Sequence, residues 1–237
     1  MTTSGFMTSF NDIESVLKEF NLYRMKGVKS LYKDGVSADF KNNSIKENYF
    51  VCYSTGLTNH DYDFLLEDES FFQFEYDNSG KYLEIRYAFF QNPVDYMSYD
   101  EFITEVIILS GLANSIEEAG SIFEPEYEQF LNEQEIKNKY LTVRYDVDYP
   151  NYQPVVHSVS HLHIGHQNHL RIPLDKFMTP LRFVIFIIKN VYYREWKTIV
   201  ETKPHYINQI LRKCSNGEVL LTNNSWNNIE KLDIHLK

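Results

Sequence analysis

The sequence predicts an α+β fold in which a largely antiparallel sheet packs against several helices. Strand-like and helix-like runs are segregated along the chain more than they alternate, and short turns connect the strands. The 237 residues include 18 Tyr and 17 Phe but only 9 Gly and 7 Pro, which indicates a large aromatic core and argues against disorder. We therefore expect a single α+β domain over residues 1–237.

The N-terminal part is predicted to contain one helix followed by a β-meander. Phe10, Ile13 and Leu17 recur at helical spacing after Ser9, which is a suitable capping residue. Residues 24–48 are polar and are expected to be irregular. The strands of the meander are predicted at 49–54, 62–66, 71–76 and 82–90, with a turn at 78–80 between the last two.

An acidic helical segment is predicted at residues 95–136. No basic residue lies between Arg86 and Lys137. Ser115 and Glu118 have the spacing of a capping box and predict a helix start, and a later proline is expected to break that helix. A solvated acidic face is the simpler interpretation of this segment. The alternative is a surface that binds a basic protein partner.

Residues 141–237 are predicted to hold a histidine-rich sheet and a long core helix. Thr179 and Pro180 form a strong helix start signal, with Thr as N-cap and Pro in the first turn. The apolar helix from Leu181 to about Thr198 is expected to be the buried centre of the fold, and another helix begins at Pro204. Strands are predicted at 141–147, 155–164 and 169–172.

The strongest functional signal is a cluster in which five of the eight histidines fall within thirteen residues. Strand alternation places His161 and His163 on one face, with Cα atoms about 7 Å apart, close enough to contact one phosphate or one metal ion. We expect both side chains to face solvent. His157 is about 13 Å from His161 along an extended strand, too far to share their site unless the strand is bulged.

Charged residues on the two flanking strands are predicted to share this face. Arg144 and Asp146 lie on the preceding strand, and Arg171 lies on the following one. If the three strands are neighbours, these side chains converge with the histidine pair on one polar surface. A glycine after the histidine strand permits a turn that brings His166 or His169 to the same surface as a further substrate contact.

Two chemistries fit this set of residues. In the first, which needs no cofactor, His161 and His163 act as general base and acid on a phosphodiester, Asp146 orients a histidine, and Arg144 and Arg171 bind phosphate. In the second, the two histidines and Asp146 hold a divalent metal ion such as zinc, which activates water. The spacing alone leaves both open.

The C-terminal half resembles an uncharacterised bacterial protein family. The resemblance rests on four segments: the Arg-Tyr-Asp strand at 143–146, the His-x-His-x-Gly-His segment at 161–166, the Arg-Ile-Pro segment at 170–173 and the Thr-Pro-Leu segment at 179–181. The arrangement is also similar, more loosely, to small bacterial toxins suspected of attacking RNA. Their histidine spacing does not match residue by residue, so this similarity assigns no catalytic role.

Bulk properties exclude several classes. We expect no signal peptide and no membrane span, because the longest strongly apolar run, at 183–188, is far too short. Cys52 and Cys214 suggest no disulfide framework, so a cytoplasmic location is expected. We therefore expect a toxin-like or defence effector that cleaves a phosphodiester in RNA. The alternatives are a metal-dependent hydrolase at the same cluster and a non-enzymatic interaction protein that uses its acidic helices.

Overall fold

The computed structural model describes residues 1–32, 35–46, 48–94, 99–133, 140–167, 170–233 and 235–236. The chain divides into two compact units, Met1–Gln91 with Leu141–Lys237, and Asn92–Tyr140. The α+β class and the antiparallel sheet are confirmed. The second unit coincides closely with the predicted acidic segment at 95–136. That both units fold as one domain over 1–237 stays a prediction.

Within the described residues, the first unit is built on a seven-stranded antiparallel sheet. The strands lie side by side in chain order, each paired with the next. They are β1 (Tyr23–Lys26), β2 (Phe64–Leu66), β3 (Phe71–Asp77), β4 (Glu84–Phe90), β5 (Thr142–Val147), β6 (Ser160–Ile164) and β7 (Arg171–Pro173). A separate two-stranded ladder joins β8 (Lys176–Phe177) to β9 (Val219–Leu220).

The helices of the first unit lie before β1, between β1 and β2, and after β8 in the chain. They are α1 (Thr3–Glu19), α2 (Ala38–Ser44), α3 (Tyr49–Thr58), and, after the helices of the second unit, α7 (Pro180–Val191), α8 (Tyr193–Thr202) and α9 (Pro204–Asn216), with a short 3-10 turn at Glu230–Leu232. One face of the sheet packs with α1 and α7 into the main hydrophobic core. The ring of Phe183 on α7 packs against the ring of Tyr87 on β4, with 5.7 Å between the ring centroids.

The predicted long core helix is two helices. Thr179 caps α7 as predicted, its side chain accepting from the backbone N–H of Arg182. The helix ends at Val191 because Tyr192 leaves helical geometry, with φ −104° and ψ 52°. This bend buries the ring of Tyr192 and lets its hydroxyl donate to Asp68 at 2.9 Å.

Three predictions for the N-terminal part are wrong. The first helix begins at Thr3, because Thr2 caps it, while the Ser9 hydroxyl accepts from the backbone of Leu181. The predicted strand at 49–54 is helix α3, which Asn48 caps and whose buried residues recur at helical spacing. The region 24–48 contains β1 and α2 and is not irregular throughout.

The opposite face of the sheet is apolar at one end and polar at the other. Phe71 and Phe90 of β3 and β4 contact each other at 4.9 Å between ring centroids, and Phe40 and Tyr53 of α2 and α3 pack on them. Helices α2 and α3 therefore cover the apolar end. The polar end, on β4 to β7, carries the charged residues that the sequence singled out.

The second unit is helical and has its own small core. It contains α4 (Tyr99–Phe102), a π-helix (Ile103–Ile108), α5 (Ile116–Ala119) and α6 (Glu124–Glu133). Phe102, Ile103 and Ile107 are buried together. Ser115 caps α5 as predicted, accepting from the backbone of Glu118. Pro125 does not break a helix, because α5 already ends at a glycine and the proline lies in the first turn of α6.

Candidate functional site

The polar residues predicted to converge lie on one face of the sheet. In the β5–β6 ladder, Arg144 is opposite His163 and Asp146 is opposite His161. In the β6–β7 ladder, His163 is opposite Arg171. Residues directly opposite each other share a face, so all five side chains emerge on the same side. The three strands are neighbours, as the convergence required.

The centre of this face is a cluster of two histidines and one carboxylate. His161 Nε2 is 3.0 Å from His163 Nε2, and His163 Nε2 is 3.3 Å from Asp146 Oδ2. One ligand atom from each of the three residues lies within 4.8 Å of the other two. The expectation of solvent-facing histidines is wrong, since His161 is 2% exposed and His163 is 9% exposed. Residues of the C-terminal part lie beside the β6–β7 end of the face: Trp226 and Glu230 line a cavity together with His161, and the Leu236 N–H donates to the Pro173 carbonyl.

Two arginines hold Asp146 from the open side of the face. Arg144 Nε donates to Asp146 Oδ2 at 2.7 Å, and Arg86 Nε donates to Oδ1 at 3.1 Å. Burial acts to raise the pKa of Asp146, but the hydrogen bond with His163 and the two guanidinium charges outweigh it and hold that pKa well below its usual range. Asp146 is therefore a carboxylate at neutral pH.

Arg86 is a site residue that the sequence analysis missed. It lies directly opposite Asp146 in the β4–β5 ladder. The available signal was its alternation with the buried residues Ile85 and Tyr87, which places Arg86 on the outer face of β4. The pairing of β4 with β5 was the missing information, because a helical unit separates the two strands in the chain.

His161 has a defined tautomer. Its Nδ1 lies 2.8 Å from the backbone carbonyl oxygen of Ser158. A carbonyl can only accept, so Nδ1 carries the hydrogen and the lone pair of neutral His161 is on Nε2. Burial lowers the pKa of His161 to about 4, against a smaller opposing effect of Asp146. His161 is therefore neutral at pH 7, and its lone pair faces His163.

His157 lies much closer to this cluster than an extended strand would place it. Its ring centroid is 4.8 Å from that of His161, and its Nε2 is 3.9 Å from Asp148 Oδ2. The predicted strand 155–164 is shortened to Ser160–Ile164. Val155 adopts a positive φ of 68°, and a bridge between Gln153 and His157 closes a turn that brings His157 back.

His166 was predicted to be a further substrate contact and makes its contacts elsewhere. His166 Nε2 lies 2.8 Å from the carbonyl oxygen of Lys46, and its ring packs edge-on against Tyr49. These contacts place His166 beside Tyr49 of helix α3, and its role in substrate binding stays a prediction. His169 lies outside the described residues.

A cavity of about 100 Å³ adjoins His161. The buried carboxylate of Glu230 forms part of its wall and accepts from the Tyr152 hydroxyl at 2.8 Å, the Asn227 N–H at 2.9 Å and the Ser158 hydroxyl at 3.3 Å. The same Ser158 supplies the carbonyl that fixes His161. The lining residues are Val155, Val156, Ser158, His161, Arg171, Pro173, Trp226, Glu230 and Asp233.

The cluster has the donor set of a divalent metal site. Two imidazoles and one carboxylate suit zinc and other first-row divalent ions. In a tetrahedral site with bonds of about 2.0–2.2 Å, ligand atoms are about 3.3–3.6 Å apart. Two spacings in the cluster, 3.0 Å and 3.3 Å, are near this range, and the third, between His161 and Asp146, is bounded only at 4.8 Å. The Nδ1–H of His161 bonded to a carbonyl is the usual outer-shell arrangement of a metal-binding histidine.

Fold and site together define an α+β protein with a buried cluster of two histidines and a carboxylate, flanked by arginines, on the outer face of its sheet. Residues 21–231 match the model of an uncharacterised conserved protein family, DUF2290. The chain belongs to this family, so the predicted membership of an uncharacterised family is confirmed. The motifs proposed to carry it, and the similarity to RNA-targeting toxins, stay predictions.

Comparison with curated proteins finds no match, and comparison with solved structures finds none either. Among the helices in the described ranges, none combines the length and apolar character needed to cross a bilayer.

Proposed function

We propose that this chain is a hydrolase that cleaves a phosphodiester in RNA with a divalent metal ion bound by His161, His163 and Asp146. The observation that carries the proposal is the convergence of the two Nε2 atoms, 3.0 Å apart, beside the carboxylate. A bound ion would supply an activated water as nucleophile. Under this proposal the protein acts as a toxin-like or defence effector inside the cell.

The geometry favours this chemistry over the metal-free acid–base pair. Both ring nitrogens of His161 already have partners, Ser158 on one side and His163 on the other. A general base must reach the proton that it removes, within about 2.6–3.2 Å or through one water. His161, at 2% exposure, offers no free nitrogen for that contact. A metal ion between the histidines would replace their hydrogen bond and take up the Nε2 lone pair of His161, which faces His163.

The arginines support an anionic phosphate substrate. The side chains of Arg86 and Arg144 are 59% and 45% exposed, although each contacts Asp146. Arg171 is exposed and lies across the ladder from His163. Guanidinium groups bind phosphate through paired N–H donors, and near a reacting phosphorus they stabilise the charge that develops on its oxygens. Three such groups around the cluster fit a phosphodiester better than a neutral substrate.

The test is incubation of purified protein with end-labelled single-stranded RNA and DNA, after chelator treatment and after return of Zn²⁺, Mn²⁺ or Mg²⁺. We expect RNA cleavage that chelator abolishes and one of these ions restores. His163→Ala should abolish cleavage, while His205→Ala, at an exposed position on α9, should retain it. Cleavage that persists in chelator would support the metal-free pair. Absence of cleavage under every condition would contradict the proposal.

We propose as the second candidate that the acidic unit binds a basic protein partner. The supporting observation is that exposed acidic residues accompany exposed leucine and isoleucine side chains on a unit with its own core. Leu109, Leu112 and Ile122 are 79%, 66% and 71% exposed, and Glu124 and Glu126 are exposed in the same unit. Exposed apolar side chains in a unit that also exposes charged ones are a feature of protein–protein contact surfaces.

A further inference from the structure

The cavity beside His161 is not needed to hold a metal ion, and its lining indicates a ligand. It encloses about 100 Å³. Sites for drug-sized ligands enclose about 300–1,000 Å³, so this cavity fits a single ring system and not a large molecule. Its walls combine apolar side chains with a few polar groups, which is the usual composition of a small-molecule site.

The apolar part of the lining is a rim of valines and a buried tryptophan. Val155 and Val156 are 51% and 71% exposed, whereas Trp226 is only 3% exposed. The valines sit on a fixed turn, because the backbone N–H groups of Val156 and His157 both donate to the Gln153 carbonyl, at 3.0 and 2.7 Å. A planar apolar ligand that contacts this rim would remove valine surface from water.

The polar part of the lining provides two different kinds of contact. Glu230 is held by donors from Tyr152, Ser158 and Asn227, and a carboxylate accepts only, so a ligand group that meets it must be an N–H or O–H donor. Arg171 is a donor with a positive charge, so a ligand group that meets it is an acceptor and is favoured if anionic.

Arg171 also connects the cavity with the cluster. It lines the cavity and lies directly across the ladder from His163. A ligand that meets both features therefore carries an N–H or O–H donor on one side and an anion on the other, and the volume of about 100 Å³ limits the part inside the cavity to about one ring system. We propose that the cavity binds the base of a nucleotide, with N–H groups toward Glu230 and the phosphate at Arg171 beside the cluster. This inference rests on the proposed function and names the nucleoside as the recognised part of its substrate.

The test uses the intrinsic fluorescence of the two tryptophans, in chelator, so that no cleavage is needed for the readout. Trp196 stacks on Phe20 in the core, so a signal lost in Trp226→Phe is assigned to the cavity. The four nucleoside 5′-monophosphates and ribose 5-phosphate are titrated separately. We expect at least one of the nucleotides to bind tenfold more tightly than ribose 5-phosphate. Inorganic phosphate serves as the probe for Arg171 alone.

A matched pair of variants tests the location. Val156→Glu places a charge on the exposed rim and should weaken nucleotide binding at least tenfold. Val28→Glu makes the same change at a valine that is 93% exposed and outside the cavity, and should leave binding unchanged. Both positions are exposed, so both variants should fold. Glu230→Gln should change the order of preference among the four bases.

The outcomes separate this inference from the proposed function. Equal binding of ribose 5-phosphate and every nucleotide, or full binding by Val156→Glu, would overturn the base site. RNA cleavage by a protein that binds no mononucleotide at this cavity would also overturn it, while the hydrolase would stand. If the wild type binds nucleotide, Val156→Glu does not, and the protein cleaves no RNA, the base site would be supported and the proposed hydrolase activity would be rejected.

Discussion

His161 and His163 face each other through their Nε2 atoms at 3.0 Å. Since the Nδ1 of His161 donates to Ser158, a neutral His161 presents a lone pair to this gap, and His163 must donate for the contact to be favourable. Protonation of both rings would place two like charges at this distance in a buried site. The pair is therefore a hydrogen-bonded contact in this structure. Under the proposed function, a divalent ion would replace the shared hydrogen and the two Nε2 atoms would become its ligands.

The first prediction is that the protein binds one divalent ion per chain through this cluster. In a titration with Co²⁺, monitored by its visible absorption and by calorimetry, His161→Ala and His163→Ala should each reduce affinity at least 100-fold. Asp146→Asn should reduce it less severely, because an amide oxygen remains. The exposed His205→Ala should match the wild type. Equal affinity for all four variants would show that the ion binds elsewhere.

The second prediction concerns the pH dependence of stability in chelator. Burial lowers the pKa of folded His161 to about 4, below its ordinary value of 6.5. Between these values the unfolded chain binds more protons, so the stabilisation is complete above pH 6.5 and is lost as the pH falls toward 4. A shift of this size corresponds to about 3 kcal/mol.

Denaturant unfolding of wild type and His161→Asn at pH 7 and pH 4.5 measures this effect. The wild type should lose more stability than the variant over this interval, because only the wild type has the buried imidazole at position 161. The quantity compared is the difference in free energy of unfolding between the two pH values within each protein. Groups that titrate in both proteins contribute equally to it. A parallel loss in the two proteins would show that His161 is not the buried titrating group.

The central residues of the site could be predicted from the sequence, but the residues around them could not. Alternation along β5 and β6 gave the shared face of Asp146, His161 and His163, because a strand has a fixed two-residue period. The contact of His157 could not be predicted in this way, because it depends on a positive φ at Val155, an uncommon conformation for a β-branched residue. Arg86 depended on a strand pairing across the helical unit, which local pattern does not reveal.

Two errors in the predicted fold, at α3 and at the end of α7, have different causes. The residues of α3 include Val51 and Tyr53, which favour strands, but capping by Asn48 and burial at helical spacing decide for a helix. The end of α7 at Tyr192 follows from the buried hydroxyl contact with Asp68, a partner far away in the chain. A local cap therefore outweighed strand propensity at α3, and a long-range contact marks the end of α7.

The third prediction concerns a buried ion pair at the opposite edge of the sheet. Lys29 Nζ lies 3.0 Å from Asp63 Oδ2, and the two side chains are 2% and 4% exposed. Asp63 also accepts from the backbone of Phe74 at 2.6 Å, while burial raises its pKa to about 6. Lys29→Met would leave this carboxylate buried without its countercharge, which should cost about 3–5 kcal/mol.

Unfolding by denaturant at pH 7 measures this cost, with an exposed ion pair as the control. Lys213 Nζ lies 2.9 Å from Asp12 Oδ1, and their side chains are 47% and 30% exposed. Lys213→Met should change the free energy of unfolding by no more than about 1 kcal/mol, because solvent screens this pair. Similar losses for the two methionine variants would mean that the Lys29 pair is solvated in solution.

The last prediction tests the acidic unit as a binding surface. Glu124, Glu126 and Glu128 lie on α6 and are exposed. Their joint replacement by lysine changes the charge of the unit by six while leaving its buried residues intact. If the unit binds a basic protein, the triple variant should lose a partner that wild type captures, and wild-type capture should weaken at high salt because exposed charges are screened. A matched triple replacement of exposed acidic residues in the first unit, Asp39, Glu67 and Glu84, should retain capture. Capture that survives both the reversal on α6 and high salt would exclude an electrostatic role for this unit.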